Sequence, residues 1–279
     1  MKKKIKLQLF LIFSFALLLR ASFAHEVIVH EYITLNAASS DAATSFAYDD
    51  FLNTVSSDFN SPVTWMVQGS AREDDFYKDE GGFRSLNHFY DPLTGQGLSD
   101  RLILSPALIG RNSFDWASIS NSTGLNVLIP PNNNTSNIWS WQNARGFEMA
   151  AFLGVTRTNR ANNFNNMFRA LGQVMHLLED TSQPQHVRNE NHLPYVATSA
   201  IETYGAANYW KLNYANNVLD WHGLGFTNMQ NFWDRNLYNG NPQALDTDAS
   251  GGSQLGLAEF SNGNFLGERI LYKEYFASN

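Results

Sequence analysis

Cysteine is absent from the 279 residues of this sequence. The chain therefore has no disulfide and no thiolate ligand, so any metal site must use histidine, aspartate and glutamate. A lipoprotein is disfavoured as well, because no cysteine is present to carry the lipid. Basic residues are scarce, since 19 lysines and arginines stand against 26 acidic residues and give a net charge of −7 at pH 7. Beyond the amino-terminal stretch, no apolar run approaches the roughly 20 residues that a membrane span needs.

Residues 1–24 have the three parts of a secretory signal peptide. A basic start (Met-Lys-Lys-Lys-Ile-Lys) precedes an apolar run from Leu9 to Leu19, and Ala-Ser-Phe-Ala follows with small residues at the selective positions. We therefore expect cleavage after Ala24 and a secreted or periplasmic mature chain of residues 25–279 without a transmembrane segment. Cleavage removes five basic residues and no acid, so the net charge falls to −12. Proteins that bind a long polyanion usually present a basic face, and this acidic chain therefore disfavours nucleic acid as a partner.

The rest of the sequence has a mainly helical pattern. Between Ala144 and Asp180, apolar residues recur at three- and four-residue steps, which is the period of an amphipathic helix. The asparagines of residues 159–163 predict a break in this stretch, and the second helix should end near Asp180 because Thr-Ser-Gln-Pro follows. Two polar stretches, residues 118–137 and 239–254, are predicted to be loops. With 43% hydrophobic and 14% aromatic residues, the chain predicts one all-α domain around a sizeable core.

The most informative pattern among the histidines is His176-x3-Asp180-x5-His186. Residues four apart lie on one face of a helix, so His176 and Asp180 can bind one ion or two neighbouring ions. Pro184 can turn the chain so that His186 returns to the same place. The alternative is a His/Asp pair on a helix surface followed by an unrelated loop histidine.

Two further patterns bring together possible metal donors. Asp74 in an acidic turn and His88 in Asn-His-Phe-Tyr-Asp-Pro offer an oxygen and a nitrogen from different segments, as catalytic zinc sites require. An acidic turn and a buried core histidine would explain the same residues. Cleavage after Ala24 would give His25 a free amine, which is a nitrogen ligand, with His30 on the next helical turn. Without cleavage, His25 would be an ordinary surface residue.

Together these motifs resemble the secreted trizinc family of bacterial phospholipases C and single-strand-specific nucleases. The terminal residue with a histidine five positions later, the Asp74 and His88 pair, and the sequence His-Leu-Leu-Glu-Asp-Thr-Ser-Gln-Pro-Gln-His from His176 to His186 match that family in order and spacing. The match covers most of residues 25–279. It implies a single-domain, multi-helix bundle of the zinc-dependent phospholipase C type, all-α and with long loops.

The resemblance also implies three zinc ions. The first would be held by Asp74, His88, His176 and Asp180, and the third by Asp180 as a bridge, by His30, and by the terminal amine and carbonyl of His25. The family usually begins with tryptophan, and His25 in that place keeps both backbone donors.

The second ion would use His186 with a later histidine and a glutamate. Here the chain departs from the family, which usually supplies these two ligands as His-x3-Glu on one helix. His192 and Glu202 are the predicted pair, because Glu202 is a lone acid in a predicted helix start. Glu190 is the rival partner of His186, and His222 is a more distant one.

Three zinc ions in a small volume suit phosphodiester hydrolysis, since they neutralise the phosphate and activate a water. Asp74 is the predicted catalytic residue, which would orient or deprotonate that water. The Phe-Tyr-Asp-Pro sequence after His88 is more similar to the phospholipase branch of the family. The expected activity is therefore a phospholipase C that acts on phosphatidylcholine-like lipids at a membrane or micelle surface, giving diacylglycerol and a phosphorylated head group.

Two other functions compete with this expectation. One is a single-strand nuclease or 3′-nucleotidase of the same fold. The other is a non-catalytic, secreted binding module that zinc holds together. That module is less favoured, because structural zinc sites are usually closed and rich in thiolates, whereas mixed His/Asp sites are catalytic in type.

Overall fold

The computed structural model of the protein describes residues 24–38, 62–74, 84–100, 108–120, 122–123, 136–190, 192, 199–209 and 257–264. Its helices are α1 (Ala24–Ala38), α2 (Pro62–Glu73), α3 (Ser113–Ser118), α4 (Trp141–Leu153), α5 (Arg157–Asp180), α6 (Pro184–Val187), α7 (Ala200–Asn208) and α8 (Leu257–Asn264). A 3₁₀ turn spans Arg84–Asn87. Within these ranges the protein is mainly helical, as the sequence predicts.

In the part of the chain that the structure describes, two very short antiparallel sheets accompany the helices. The first pairs β1 (Ser99–Asp100) with β2 (Leu108–Ile109), and the second pairs β3 (Ser122–Thr123) with β4 (Ser136–Asn137). β3 and β4 lie near the two ends of residues 118–137, which the sequence predicts as a loop. The other predicted loop, residues 239–254, lies outside the described residues. Among the helices that the structure describes, none combines the length and the hydropathy that crossing a membrane requires.

The break between α4 and α5 lies earlier than the asparagines predict. α4 ends before Gly154, and Thr156 then caps α5 by accepting a hydrogen bond from the Asn159 backbone N–H. The asparagines therefore lie inside α5, where the Asn163 side chain donates to the Asn159 carbonyl at 2.8 Å. The prediction of a break at residues 159–163 is wrong, because a threonine N-cap determines the helix start. The predicted end at Asp180 is confirmed.

The main core lies where α2 and α4 pack on α5, and its buried residues include Met66, Phe164 and Phe168. α2 and α5 cross in backbone contact. A Cβ atom at Gly69 would lie 2.1 Å from the Arg169 carbonyl oxygen, and a Cβ atom at Gly172 would lie 1.9 Å from the Met66 carbonyl oxygen. Glycine at both positions lets the end of α2 approach the carboxyl-terminal half of α5.

The chain turns sharply at the end of α5. Thr181 donates from its hydroxyl to the Leu178 carbonyl, and Pro184 begins α6 at a position where its missing N–H costs nothing. The Tyr90 backbone N–H donates to the His186 carbonyl at 3.0 Å. This bond ties α6 to the segment that follows the 3₁₀ turn, so His186 lies over the end of α5.

Candidate metal centre

The structure brings together all of the predicted donors whose side chains it describes. These donors are His30 on α1, Asp74 after α2, His88 after the 3₁₀ turn, His176 and Asp180 on α5, His186 on α6, His192, and Glu202 on α7. The side chain of His25 lies outside the described part. The sequence motifs therefore predict which side chains lie close together, although the donors come from different elements along the chain.

The donors of the predicted first ion face one another around a common point. Asp180 Oδ2 lies 3.0 Å from His88 Nδ1 and 3.3 Å from His176 Nε2. Asp74 Oδ1 lies 3.4 Å from His88 Nδ1, and Asp74 Oδ2 lies 3.5 Å from His176 Nε2. Ligands of tetrahedral zinc at 2.0–2.2 Å are separated by about 3.4 Å. The donors of His88, His176 and Asp180 therefore fit one ion, whereas the Asp74 donor also lies within reach of an ion held by His30 and His176.

Several polar atoms in this cluster are buried and lack a hydrogen-bond partner. They include both ring nitrogens of His176, Asp180 Oδ2 and His186 Nδ1. Buried polar atoms in native proteins are nearly always paired, so a convergent group of unsatisfied ones requires an explanation. A cation between His176 Nε2 and Asp180 Oδ2, which lie 3.3 Å apart, would satisfy the lone pairs of both atoms. The buried His, Asp and Glu side chains can thus hold a metal ion.

A second group of donors comprises His186, His192 and Glu202. His192 Nε2 lies 2.8 Å from Glu202 Oε1 and 3.0 Å from His186 Nε2. His192 donates from Nδ1 to the Glu190 backbone carbonyl at 2.9 Å, which leaves its Nε2 lone pair for a metal. Ser199 caps α7 by accepting from the Glu202 N–H and so fixes Glu202 in the first turn.

This arrangement separates the two glutamates that compete for the second ion. Glu202 presents its carboxylate to the histidines, whereas Glu190 contacts His192 through its backbone carbonyl. The geometry therefore favours the pair of His192 and Glu202. His222, the more distant rival, lies outside the described residues.

Asp180 links the two groups and also contacts His30. Its Oδ1 atom lies 3.4 Å from His30 Nε2 and 3.4 Å from His186 Nδ1, on the side opposite to the first-ion donors. The His30 ring also stacks on the His176 ring with centroids 3.8 Å apart. Asp180 therefore has the position that a bridging carboxylate requires.

Glu73 is a residue near the centre that the sequence motifs did not predict. It is buried and accepts hydrogen bonds from Arg84 Nη2 at 2.6 Å and Trp116 Nε1 at 2.7 Å. Its Oε1 atom lies 3.6 Å from His88 Nε2, on the far side of the ring from the metal donors. Arg84 also donates to Gln173 on α5. The network holds the His88 ring so that its Nδ1 atom faces the centre.

Glu179 is the second residue that was missed, and it lies behind His30. Its carboxylate accepts a hydrogen bond from His30 Nδ1 at 2.7 Å. The only local signal for either glutamate is that each immediately precedes a predicted aspartate ligand, Asp74 or Asp180.

The electrostatics of the metal-free cluster are dominated by Asp180. Burial favours the neutral imidazole, but the Asp180 carboxylate outweighs it and raises the pKa of His88 to about 10 and that of His186 to about 9. The pKa of His30 is raised well above 6.5 in the same way. Burial would raise the pKa of Asp180, but His186, His176 and His88 hold it well below its usual range. Without a metal, His30, His88 and His186 therefore carry protons.

Glu73 is charged for a different reason. Burial would raise its pKa, but the Arg84 guanidinium and the nearby His88 outweigh burial and lower it to about 2. Glu73 is therefore an anion at neutral pH, and its charge favours a proton on the His88 nitrogen that points away from the centre.

The chain matches no protein-family model, no curated protein and no solved structure. The resemblance to the trizinc family therefore rests on the motifs of the sequence, and the roles of these residues as zinc ligands stay predictions.

Proposed function

We propose that this protein is a secreted zinc-dependent phosphoric diester hydrolase, most specifically a phospholipase C. The observation that carries the proposal is the convergence of buried His and Asp donors around both oxygens of Asp180, several of them without a hydrogen-bond partner. An arrangement of nitrogen and oxygen donors without thiolates is the type found in catalytic zinc sites.

Three zinc ions are proposed because the donors divide into three groups, two of which share Asp180. Asp180 contributes to the group of Asp74, His88 and His176 and to the group of His30. The remaining group contains His186, His192 and Glu202, and it uses His186 Nε2, whereas Asp180 faces His186 Nδ1. The terminal amine of His25 would complete the group of His30 after signal-peptide cleavage. Zinc ions bound there would supply Lewis acidity, which neutralises the charge of a phosphodiester and acidifies water.

The chain's own residues would then bind and orient the reactants. Asp74 directs both of its carboxylate oxygens toward the first-ion donors His88 and His176, so it is close enough to orient a water molecule or to accept its proton. The ring of Phe89 stacks on His186 with centroids 4.8 Å apart. Phe89 and Tyr90 are buried, so they would support the ligands and exclude water rather than contact a head group.

A phospholipid is the proposed substrate because of the motif after His88 and the charge of the mature chain. A net charge of −12 repels a long polyanion such as single-stranded DNA. A zwitterionic lipid such as phosphatidylcholine does not meet that repulsion. Its phosphodiester carries one negative charge, which the ions would neutralise locally.

The test compares zinc content with activity on three substrates. Mature protein, residues 25–279, would be purified after export, its zinc measured by mass spectrometry, and hydrolysis assayed on phosphatidylcholine micelles, single-stranded DNA and a 3′-nucleotide. Zinc with release of phosphocholine supports the proposal. Hydrolysis of DNA or of the nucleotide instead would make the protein a nuclease, zinc without hydrolysis would make it a binding module, and the absence of zinc would refute the metal centre.

A further inference from the structure

Glu179 is an acid next to the candidate centre whose two carboxylate oxygens are both engaged. His30 Nδ1 lies 2.7 Å from Glu179 Oε2, and the Thr34 hydroxyl donates to Glu179 Oε1 at 2.9 Å. The side chain of Glu179 is only 11% exposed. Both oxygens of the Glu179 carboxylate therefore accept hydrogen bonds from α1. The carboxylate faces His30 Nδ1, the ring nitrogen that points away from Asp180.

The neighbouring Asp180 meets the other nitrogen of the same ring. His30 Nε2 lies 3.4 Å from Asp180 Oδ1, so two consecutive acids at the end of α5 face the two nitrogens of His30. The hydrogen bond that one ring nitrogen makes decides which tautomer a histidine adopts. Of the two contacts, the one at Nδ1 is the hydrogen bond, at 2.7 Å against 3.4 Å, so a neutral, metal-binding ring keeps its proton on Nδ1. Its Nε2 lone pair is then directed toward the centre.

We propose that Glu179 is a positioning residue, which fixes His30 in the tautomer protonated at Nδ1 and aims Nε2 at a metal ion shared with Asp180. This inference rests on the proposed metal centre but not on the proposed substrate. Glu179 acts through His30 and does not itself contact the ion.

The placement of these residues on α1 supports a positioning role. His30 and Thr34 are four residues apart, so they lie on the same face of the helix and meet Glu179 together. The contact therefore fixes the rotation of α1 against the end of α5 as well as the orientation of the imidazole. The His30 ring is further restricted by its stacking on His176.

Two other roles for Glu179 give different expectations. If Glu179 were a direct ligand, its replacement would remove one ion even at saturating zinc. If it only packed α1 against α5, its replacement would lower stability without changing zinc affinity. A positioning residue should instead weaken the binding of an ion that still binds when zinc is in excess.

The experiment measures zinc affinity by chelator competition in the wild-type mature protein and in Glu179→Gln, Thr34→Val and Glu148→Gln. Glu148 pairs with Arg145 on the surface of α4, so Glu148→Gln is a matched control for the loss of one negative charge. Loss of an outer partner of a metal-bound histidine typically weakens metal binding by about 10–100-fold. We expect that loss for one ion in Glu179→Gln, a smaller loss in Thr34→Val, none in the control, and full zinc stoichiometry at saturation.

A measurement on the wild type keeps the test independent of how the variants fold. Nitrogen-15 NMR of zinc-loaded protein with labelled histidines should show His30 protonated at Nδ1 and metal-bound at Nε2, with the signal assigned by its loss in His30→Gln. Metal at Nδ1, unchanged zinc affinity in Glu179→Gln, or loss of an ion that excess zinc does not restore would each overturn the proposal. A wild type that binds no zinc would refute the metal centre itself.

Discussion

Asp180 is the residue on which the proposed centre depends most. Its Oδ1 atom faces His30 and His186, and its Oδ2 atom faces His88 and His176, at distances of 3.0–3.4 Å. Replacing one histidine removes one donor from one group. Replacing Asp180 removes the anionic carboxylate that all of these histidines face.

Asp180→Asn is therefore expected to lose more than one equivalent of zinc. Hydrolysis should fall by more than the roughly 10–100-fold that changes outside the ligand shell cost. Metal analysis and turnover would be measured beside Glu148→Gln, which also exchanges a carboxylate for an amide but on the surface. Full zinc retention in Asp180→Asn would show that Asp180 is not the bridging ligand.

The second ion gives a prediction that separates Glu202 from Glu190. His192→Ala and Glu202→Gln should each lower zinc occupancy, because His192 Nε2 and Glu202 Oε1 face each other at 2.8 Å beside His186. Glu190→Gln should have a small effect, since its backbone carbonyl, which accepts from His192, survives the substitution. The opposite ranking of zinc contents would assign the ion to Glu190.

The sequence predicts the ligands better than the residues that support them. His176 and Asp180 are recognisable because four-residue spacing puts them on one helix face. Glu179 meets His30 across a sequence separation of 149 residues, and Glu73 meets Arg84 across a separation of 11. No periodicity or local spacing encodes such pairings, so these partners could be identified only from the structure.

At the scale of elements, the crossing of α2 and α5 controls where Asp74 lies. Gly172→Ala should push the two helices apart, because the added Cβ would lie 1.9 Å from the Met66 carbonyl oxygen. Overpacking of this kind costs about 1–3 kcal/mol. Thermal unfolding and zinc content should therefore both decrease, the latter because Asp74 moves away from His176.

Gly146→Ala is the matched control for that substitution. Gly146 lies on an exposed face of α4, and a Cβ there would have no atom within 4 Å. Alanine in a helix interior is favoured over glycine by about 0.8–1 kcal/mol, so this variant should be slightly more stable and keep its zinc. Equal behaviour of the two variants would show that the crossing tolerates a side chain.

The end of α5 could be predicted from the sequence, whereas its start and its crossing with α2 could not. The end of α5 follows from Pro184, which cannot continue the helix, and the structure confirms it. The start of α5 was misplaced because asparagine disfavours helix only weakly, whereas the Thr156 cap acts locally and strongly. The helix crossing could not be predicted at all, because the sequence does not show which glycines face each other.

At the scale of the whole molecule, maturation is expected to create a ligand. α1 carries His30 into the cluster and also contains His25, five residues earlier. A free amine at His25 has a lone pair that a peptide nitrogen lacks. Export and cleavage would therefore complete the site.

One additional residue before His25 tests this expectation. Mature protein carrying an extra alanine should fold and keep most of its zinc but lose the ion near His30, and its hydrolysis should be much slower. Both forms would be compared for metal stoichiometry and turnover. Equal zinc and equal rates in the two forms would remove the terminal amine from the ligand set.

Zinc binding should also release protons from the folded protein. His88, with a pKa of about 10, and His186, with a pKa of about 9, are protonated near neutral pH in the metal-free state, whereas zinc requires neutral imidazole. Calorimetry at pH 7.5 in buffers of different ionisation enthalpy should therefore report release of about two protons or more. His88→Gln should release about one proton fewer. Binding heats that do not depend on the buffer would show that the histidines are already neutral.

The same pKa shifts fix the pH dependence of the metal-free protein. Because the pKa values of His88 and His186 are raised, their contribution to stability is complete below about 6.5 and is lost as the pH rises toward 9 and 10. The pKa of Glu73 is lowered to about 2, so its contribution is present above about 4.5 and is lost as the pH falls toward 2. The melting temperature of chelated protein should therefore be highest between about pH 4.5 and 6.5. Added zinc should raise the melting temperature more at pH 8 than at pH 5.5, because zinc ions and protons compete for the same histidine nitrogens. An equal rise at the two pH values would contradict this competition.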